Sequence, residues 1–192
     1  MKQLLTFFAA LMLISSVHAE DDWQTMENNF KFQGESYGLE IRTYADDDYD
    51  HAEVTYKLAP NLTGALRLAE DGTDTEIRPK LTHKVIDAGP LSLAHRIEYR
   101  YHEGNTDDNW RYRGIIGVSY SGAWLKMQPR WEFGAGKTGD MKIDDVKWQA
   151  GYDIALAPNL TLTPFIEYLT AGEDGDWQKE HLIGGTTVQV KF

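Results

Sequence analysis

Arginine recurs on alternate residues in two neighbouring stretches of this chain. In "HRIEYRYHEGNTDDNWRYRGIIG", His95 to Gly117, Arg96, Glu98 and Arg100 alternate with Ile97, Tyr99 and Tyr101. After an acidic interruption, Arg111 and Arg113 alternate with Trp110 and Tyr112. A guanidinium offers a planar fork of donors that matches a carboxylate at two points. Guanidinium groups at period two therefore suggest a surface for anions, provided the backbone brings them onto one face. An extended strand does so, because successive side chains point to opposite sides. The acidic middle, with Gly104, reads as a hairpin loop.

The same alternation runs through most of the chain. Ten strands are expected, at about 36–44, 51–58, 62–69, 73–86, 91–101, 110–120, 123–133, 145–156, 160–169 and 181–192. Residues 20–33 are not assigned to a strand of their own, and part of them is available to lengthen the first strand. The connections alternate in kind. Short turns such as Ala59-Pro60-Asn61 and Ser121-Gly122 alternate with acidic loops such as "ADDDYD", "HEGNTDD" and "AGEDGDW". In an up-and-down meander this places all the short turns on one rim and all the acidic loops on the other. The stretch "LAPNLT" occurs at 58–63 and again at 156–161, both times on the short-turn rim.

One strand face is apolar throughout, from Leu39 and Ile41 to Val188, Val190 and Phe192, and holds no Asp, Glu, Lys or Arg. The other carries Arg42, Lys57, Arg67, Arg78, Lys80, Lys84, Arg96, Arg100, Arg111, Arg113, Lys126, Arg130, Lys147 and Lys191. It also carries Glu40, Glu53, Glu76, Glu98, Glu132, Asp153 and Glu167, so 14 bases stand against 7 acids in a chain of net charge −11. A water-soluble barrel would have to bury the apolar row with its Trp and Tyr side chains, and the limited interior argues against that. The opposite arrangement, apolar side to lipid and charged side to water, is that of a transmembrane barrel. The expected fold is all-β: an antiparallel up-and-down transmembrane barrel of about ten strands, twelve being the alternative. Tyr99, Tyr101, Trp110, Tyr112, Trp131, Phe133, Trp148 and Tyr168 form one aromatic band. Tyr37, Tyr56, Tyr120, Tyr152 and Phe192 form the other. Five residues fit this wall badly: Pro79, Pro129, Pro164, His83 and His95 fall in the apolar row.

Residues 1–19 have Lys2, an apolar run and Val17-His18-Ala19, the pattern of a cleavable secretory signal. Residues 20–192 are expected to form one barrel domain. The chain has no cysteine and so no disulfide. Its acidic balance, 30 Asp and Glu against 19 Lys and Arg, argues against nucleic acid.

The final strand "GGTTVQVKF" resembles those of Gram-negative outer-membrane proteins, which end in an alternating strand with a terminal aromatic. That resemblance implies an outer-membrane location and recognition of Phe192 by the assembly machinery. Two stretches, "YGLEIRTYADDDYDHAEVTYKLAPNLTGALRLAED" and "DWQKEHLIGGTTVQVKF", are similar to the oligogalacturonate-specific porin family, which includes sialic-acid channels. They cover about a quarter of the chain. The resemblance implies a small monomeric barrel with basic tracks in its lumen that passes acidic oligosaccharides. That family has twelve strands, against the ten read here.

The expected path for small anions is Arg42, Arg67, Arg78, Lys80, Arg96, Arg100, Arg111, Arg113, Lys126 and Arg130. Inward Trp124, Tyr44 and Phe165 are available to stack on sugar faces. Two other outcomes are open: lumenal Arg and Glu pair and plug the barrel, or the acidic loops do the work in a structural or adhesive barrel. Lipid and lipopolysaccharide are the expected surroundings, and no cofactor or metal is expected. An enzyme is disfavoured, since His51, His102 and His181 have acidic neighbours only next to them in sequence, facing the opposite way.

Overall fold

The computed structural model describes residues 23–44, 49–71, 74–103, 108–133, 143, 145–173 and 176–192. The expected signal segment 1–19 and most residues of the acidic loops lie outside them. The strands are β1 (Trp23–Gln33), β2 (Tyr37–Tyr44), β3 (Tyr49–Ala59), β4 (Leu62–Asp71), β5 (Asp74–Ala88) and β6 (Leu91–Glu103). They continue with β7 (Asn109–Tyr120), β8 (Ala123–Phe133), β9 (Asp145–Tyr152), β10 (Ile154–Ala157), β11 (Leu160–Glu173) and β12 (Asp176–Lys191).

β9 and β10 both pair with β11, on either side of Asp153, and the register carries across the break as far as Ala155 before a bulge at Ala155–Ala157. They are one stave of the wall with a single interruption. The sheet closes on itself through β12 and β1, giving a barrel of eleven staves. The expected all-β barrel is therefore present, with one stave more than the ten expected: residues 23–33 form a strand of their own. An odd count forces one pair of neighbours to run parallel. That pair is β1 and β12, in register from Met26 opposite Gly184 to Gln33 opposite Lys191. All other neighbours are antiparallel.

Local chemistry accounts for the turns. At the β7–β8 hairpin Ser121 and Gly122 have φ of 50° and 89°. Two positive values make the primed turn whose twist matches a two-residue hairpin. The three awkward prolines sit at gaps in the ladder. Between β5 and β6 the pairing passes from Ile77–Tyr101 to Lys80–Glu98 without Pro79, in unchanged register. Between β7 and β8 it passes from Arg113–Arg130 to Ile116–Met127 and omits Pro129. Pro164 lies opposite the break between β9 and β10. A missing N–H thus costs a ladder position and no bulge is needed.

Sidedness is inverted relative to a water-soluble protein. Among the described residues only Ala69, Phe165, Leu169 and Ile183 are buried hydrophobics, while fifteen polar or charged residues are buried. Glu27, Glu76 and Glu98 are the most enclosed large side chains. Val54, Tyr56, Leu58 and Leu68 are each more than half exposed. Buried acid and exposed aliphatic wall together describe a barrel with lipid outside and a polar interior. On the outer wall Tyr99 packs on Trp110 with ring centroids 4.9 Å apart, and Tyr112 on Trp131 at 5.5 Å.

Candidate functional site

Strand alternation delivers the inward row to one central cavity of about 870 Å³. It reaches the short-turn rim at Gly89, Pro90 and Ser119. Twelve basic and six acidic side chains line it, and four more acids, Glu76, Glu98, Glu132 and Asp145, pair with the lining bases from behind. Every residue expected on the path is among them: Arg42, Arg67, Arg78, Lys80, Arg96, Arg100, Arg111, Arg113, Lys126, Arg130 and Trp124. Tyr44 and Phe165 line it as well. Three bases of the inward row stand elsewhere. Lys57, Lys84 and Lys191 are exposed, and Lys84 pairs with Asp87 at 2.7 Å. The lumen's surplus of base is accordingly smaller than the raw count of the row.

Most of the bases have a carboxylate. Glu98, with no exposed surface, lies 3.3 Å from Arg113 and 3.6 Å from both Arg78 and Arg96. Glu76 holds Arg78 at 2.5 Å and Arg100 at 2.8 Å, and Arg100 also reaches Glu132 at 3.4 Å. Arg111 pairs with Glu132, and Arg130 with Asp145. On the other wall Glu53 takes Lys80 at 2.6 Å and Arg67 at 2.8 Å. Glu40 takes Arg42 at 2.7 Å and Lys31 at 3.1 Å, and Lys147 meets Glu167 at 2.5 Å. This belt answers an electrostatic problem set by the register. Arg96, Arg113 and Arg130 stand directly opposite one another across β6, β7 and β8. Like charges so placed repel, and Glu98 and Asp145 offset that repulsion.

Two cations on the short-turn side are matched least. Arg96 spends its Nε–H on Thr82 Oγ1 at 2.8 Å and keeps a quarter of its side chain exposed. Lys126 rests its ammonium 4.5 Å from the centre of the Trp124 ring, a cation–π contact. Trp124 donates its indole N–H to Asp153 at 3.2 Å.

The aromatics are laid flat against the wall by glycine. A Cβ on Gly151 would stand 2.4 Å from Trp124 Cζ2, and one on Gly185 would stand 2.3 Å from Phe165 Cζ. These four residues are neighbours in register across β8, β9, β11 and β12. The order Trp-Gly-Phe-Gly lets two large rings line the bore without crossing it.

The sequence reading missed Glu27, Asn29 and Lys31, which β1 brings to the lumen. Phe30 and Phe32 alternate with them on the outside, and this was the available signal. Of the histidine–acid neighbours, His51 and Asp50 separate, and the side chains of Glu180 and His181 lie outside the described residues. His51 Nε2 lies 3.7 Å from Glu40, while Asp50 accepts the Tyr44 amide N–H at 3.2 Å.

No family model and no curated protein matches the chain. Among solved structures it is similar to Pseudomonas aeruginosa OccK11 (OpdR), at 16% identity and a TM-score of 0.36, covering 72% of this chain and 51% of that one. It is also similar to Acinetobacter baumannii OccAB4, at 13% identity and a TM-score of 0.34, covering 75% of this chain and 49% of that one. The chain thus spans about half the length of the structures it matches. The resemblance to the oligogalacturonate-specific family continues to rest on the two sequence stretches quoted above.

Proposed function

We propose that this chain is an outer-membrane channel for passive, anion-selective diffusion of small acidic oligosaccharides. The observation that supports the reading is a cavity lined by twelve bases inside an apolar wall; two of these bases, Arg96 and Lys126, are matched least. Charge of one sign in a narrow bore with low-dielectric walls concentrates counter-ions. Arg96 and Lys126 give a carboxylate its first contacts from the short-turn side, and a sugar ring that draws Lys126 away takes its place over Trp124. Conduction requires weak, repeated binding, and bases already half-engaged by Glu98, Glu53 and Glu76 bind a passing anion weakly. The chain enters the export route by the signal at 1–19, Phe192 addresses the assembly machinery, and the barrel works as a monomer among lipid and lipopolysaccharide without a cofactor.

One observation favours a second reading. Arg78, Arg96 and Arg113, from three adjacent strands, gather on the fully enclosed Glu98 and narrow the bore from that wall. Eight-stranded barrels are filled by side chains and those with 16–18 strands are open. In a barrel closed at this belt the cavity would be a vestibule that binds anions without passing them, and the acidic loops would carry any outward role.

Planar-bilayer recording separates the two. The channel reading predicts stepwise conductance and a reversal potential on the anion side under a chloride gradient, shifted towards zero by Arg96→Ala with Lys126→Ala. Folded protein that inserts and conducts nothing leaves the vestibule reading.

A further inference from the structure

His83 on β5 and His95 on β6 are opposite each other in register on the outer wall, where imidazole has no apolar rationale. His83 Nδ1 lies 3.0 Å from His95 Nε2, with ring centroids 5.1 Å apart. His83 Nε2 lies 2.9 Å from Asn61 Nδ2. Asn61 belongs to the short turn between β3 and β4, and its carbonyl accepts the Lys84 N–H at 2.8 Å. The pair therefore sits at rim level, where water and headgroups reach it. Across β7 the next residue in register is Gly114, with Pro129 over it, and the His95 ring packs beside Tyr112 with centroids 5.9 Å apart. The lumen does not use this cluster.

We propose that His83 and His95, with Asn61 behind His83, form a binding site for a divalent transition metal, Cu²⁺ foremost. Two observations support it. Imidazole nitrogens bind such ions at about 2.0–2.1 Å, so two nitrogens 3.0 Å apart subtend about 91–97° at a shared ion. The two nitrogens are thus close enough to become adjacent ligands of one ion, and among divalent first-row ions Cu²⁺ binds such nitrogen ligands most tightly. A ligating histidine also needs an acceptor for its other ring N–H. Asn61 stands at His83 Nε2, and turning its carboxamide over presents the oxygen there. His83 then carries its proton on Nε2, donates it to Asn61 Oδ1 and frees the Nδ1 lone pair for the ion. No proton is gained or lost, and a tautomer change replaces the direct imidazole–imidazole hydrogen bond. Two protein ligands leave the remaining positions to water.

The test is a titration of the folded full-length barrel in detergent with Cu²⁺ alone, read by electron paramagnetic resonance and by calorimetry. Wild type is expected to hold one Cu²⁺ with two equatorial imidazole nitrogens. His83→Phe and His95→Phe place an aromatic on a wall that already carries many, so both variants fold. Each should weaken that site at least tenfold and leave one nitrogen in the spectrum. Asn61→Asp keeps the turn chemistry and strengthens the acceptor behind His83, so it should tighten binding severalfold, an effect a purely structural asparagine would not produce. Equal binding by wild type and the two Phe variants, or no two-nitrogen signal below millimolar Cu²⁺, overturns the proposal. Anion conductance plays no part in either result, so the channel reading stands or falls separately.

Discussion

Glu98→Gln is the substitution that bears most directly on the lumen. The carboxylate is completely enclosed and faces three guanidinium groups at 3.3–3.6 Å. At an effective dielectric of about 20, each contact is worth about 5 kcal/mol of attraction before the cost of desolvating the ions. Removing one partner of such a buried cluster costs about 3–5 kcal/mol, because the remaining charges stay buried without compensation. Glutamine keeps the shape and removes only the charge. Denaturant unfolding in bilayers at low salt should show a loss of that size. If the bore is wet, chloride takes the place of the carboxylate, and each tenfold rise in chloride should restore at most about 1.4 kcal/mol. The same variant adds a net positive charge at mid-bore, so its reversal potential should move further to the anion side. Unchanged stability together with unchanged selectivity would refute the assignment of Glu98 as the centre of the belt. A stability loss that chloride does not relieve would mean that the belt is dry and the bore shut.

Other outcomes follow from the same geometry. Gly151→Val puts a side chain where Trp124 lies, 2.4 Å from the position of its Cβ; the ring must swing into the bore, and single-channel conductance should fall while heat-modified gel mobility still reports a folded barrel. In single-tryptophan variants, brominated acyl chains should quench Trp110 and Trp148, which are exposed on the outer wall, and leave Trp124 bright; quenching of Trp124 by the lipid would reverse the sidedness. The chain has no cysteine, so Asn28→Cys with Thr186→Cys reads the parallel seam directly. These two are opposite in register and should oxidise to a disulfide, which needs Cα atoms about 4.4–6.8 Å apart. Asn28→Cys with Gln189→Cys should remain reduced on non-reducing gels.

Sidedness was legible because it is a period-two property and needs no long-range information. The apolar row read from the sequence is the row that carries the exposed side chains, Leu39, Val54, Leu68, Ile97, Val118 and Leu125 among them. The bases of the cavity were legible for the same reason. Their partners were not. That Arg130 meets Asp145, or that Lys80 on β5 reaches Glu53 on β3, depends on strand stagger, which alternation leaves open. The flattening of Trp124 on Gly151 likewise needs the register of β8 against β9. The prolines were a false alarm, because the ladder drops a pair more readily than it shifts phase.

The strand that sequence reading missed is the one that makes the barrel odd. In "WQTMENNFKFQ" the alternation of Phe30 and Phe32 with Asn29 and Lys31 is confined to one end, and Asn28 occupies an outward position that would announce a strand if it were apolar. Its partners supply what its own pattern lacks. β2 and β12 run antiparallel to each other, so without β1 the remaining ten staves would close with the usual alternation throughout. Inserting β1 costs one parallel seam, slightly weaker per residue than an antiparallel one, and widens the wall by one strand spacing of about 4.8 Å. It also sets Glu27 against Arg42 at 3.2 Å and Lys31 against Glu40 at 3.1 Å. Glu40 faces Glu53 directly across β2 and β3, a repulsive pair that Lys31 helps to offset. The eleventh stave thus enlarges the bore and balances charge in the part of the wall where two acids are adjacent. For this reason weak hydrophobic patterning in β1 is compatible with its place in the fold: interactions within the lumen hold it as much as contact with lipid does.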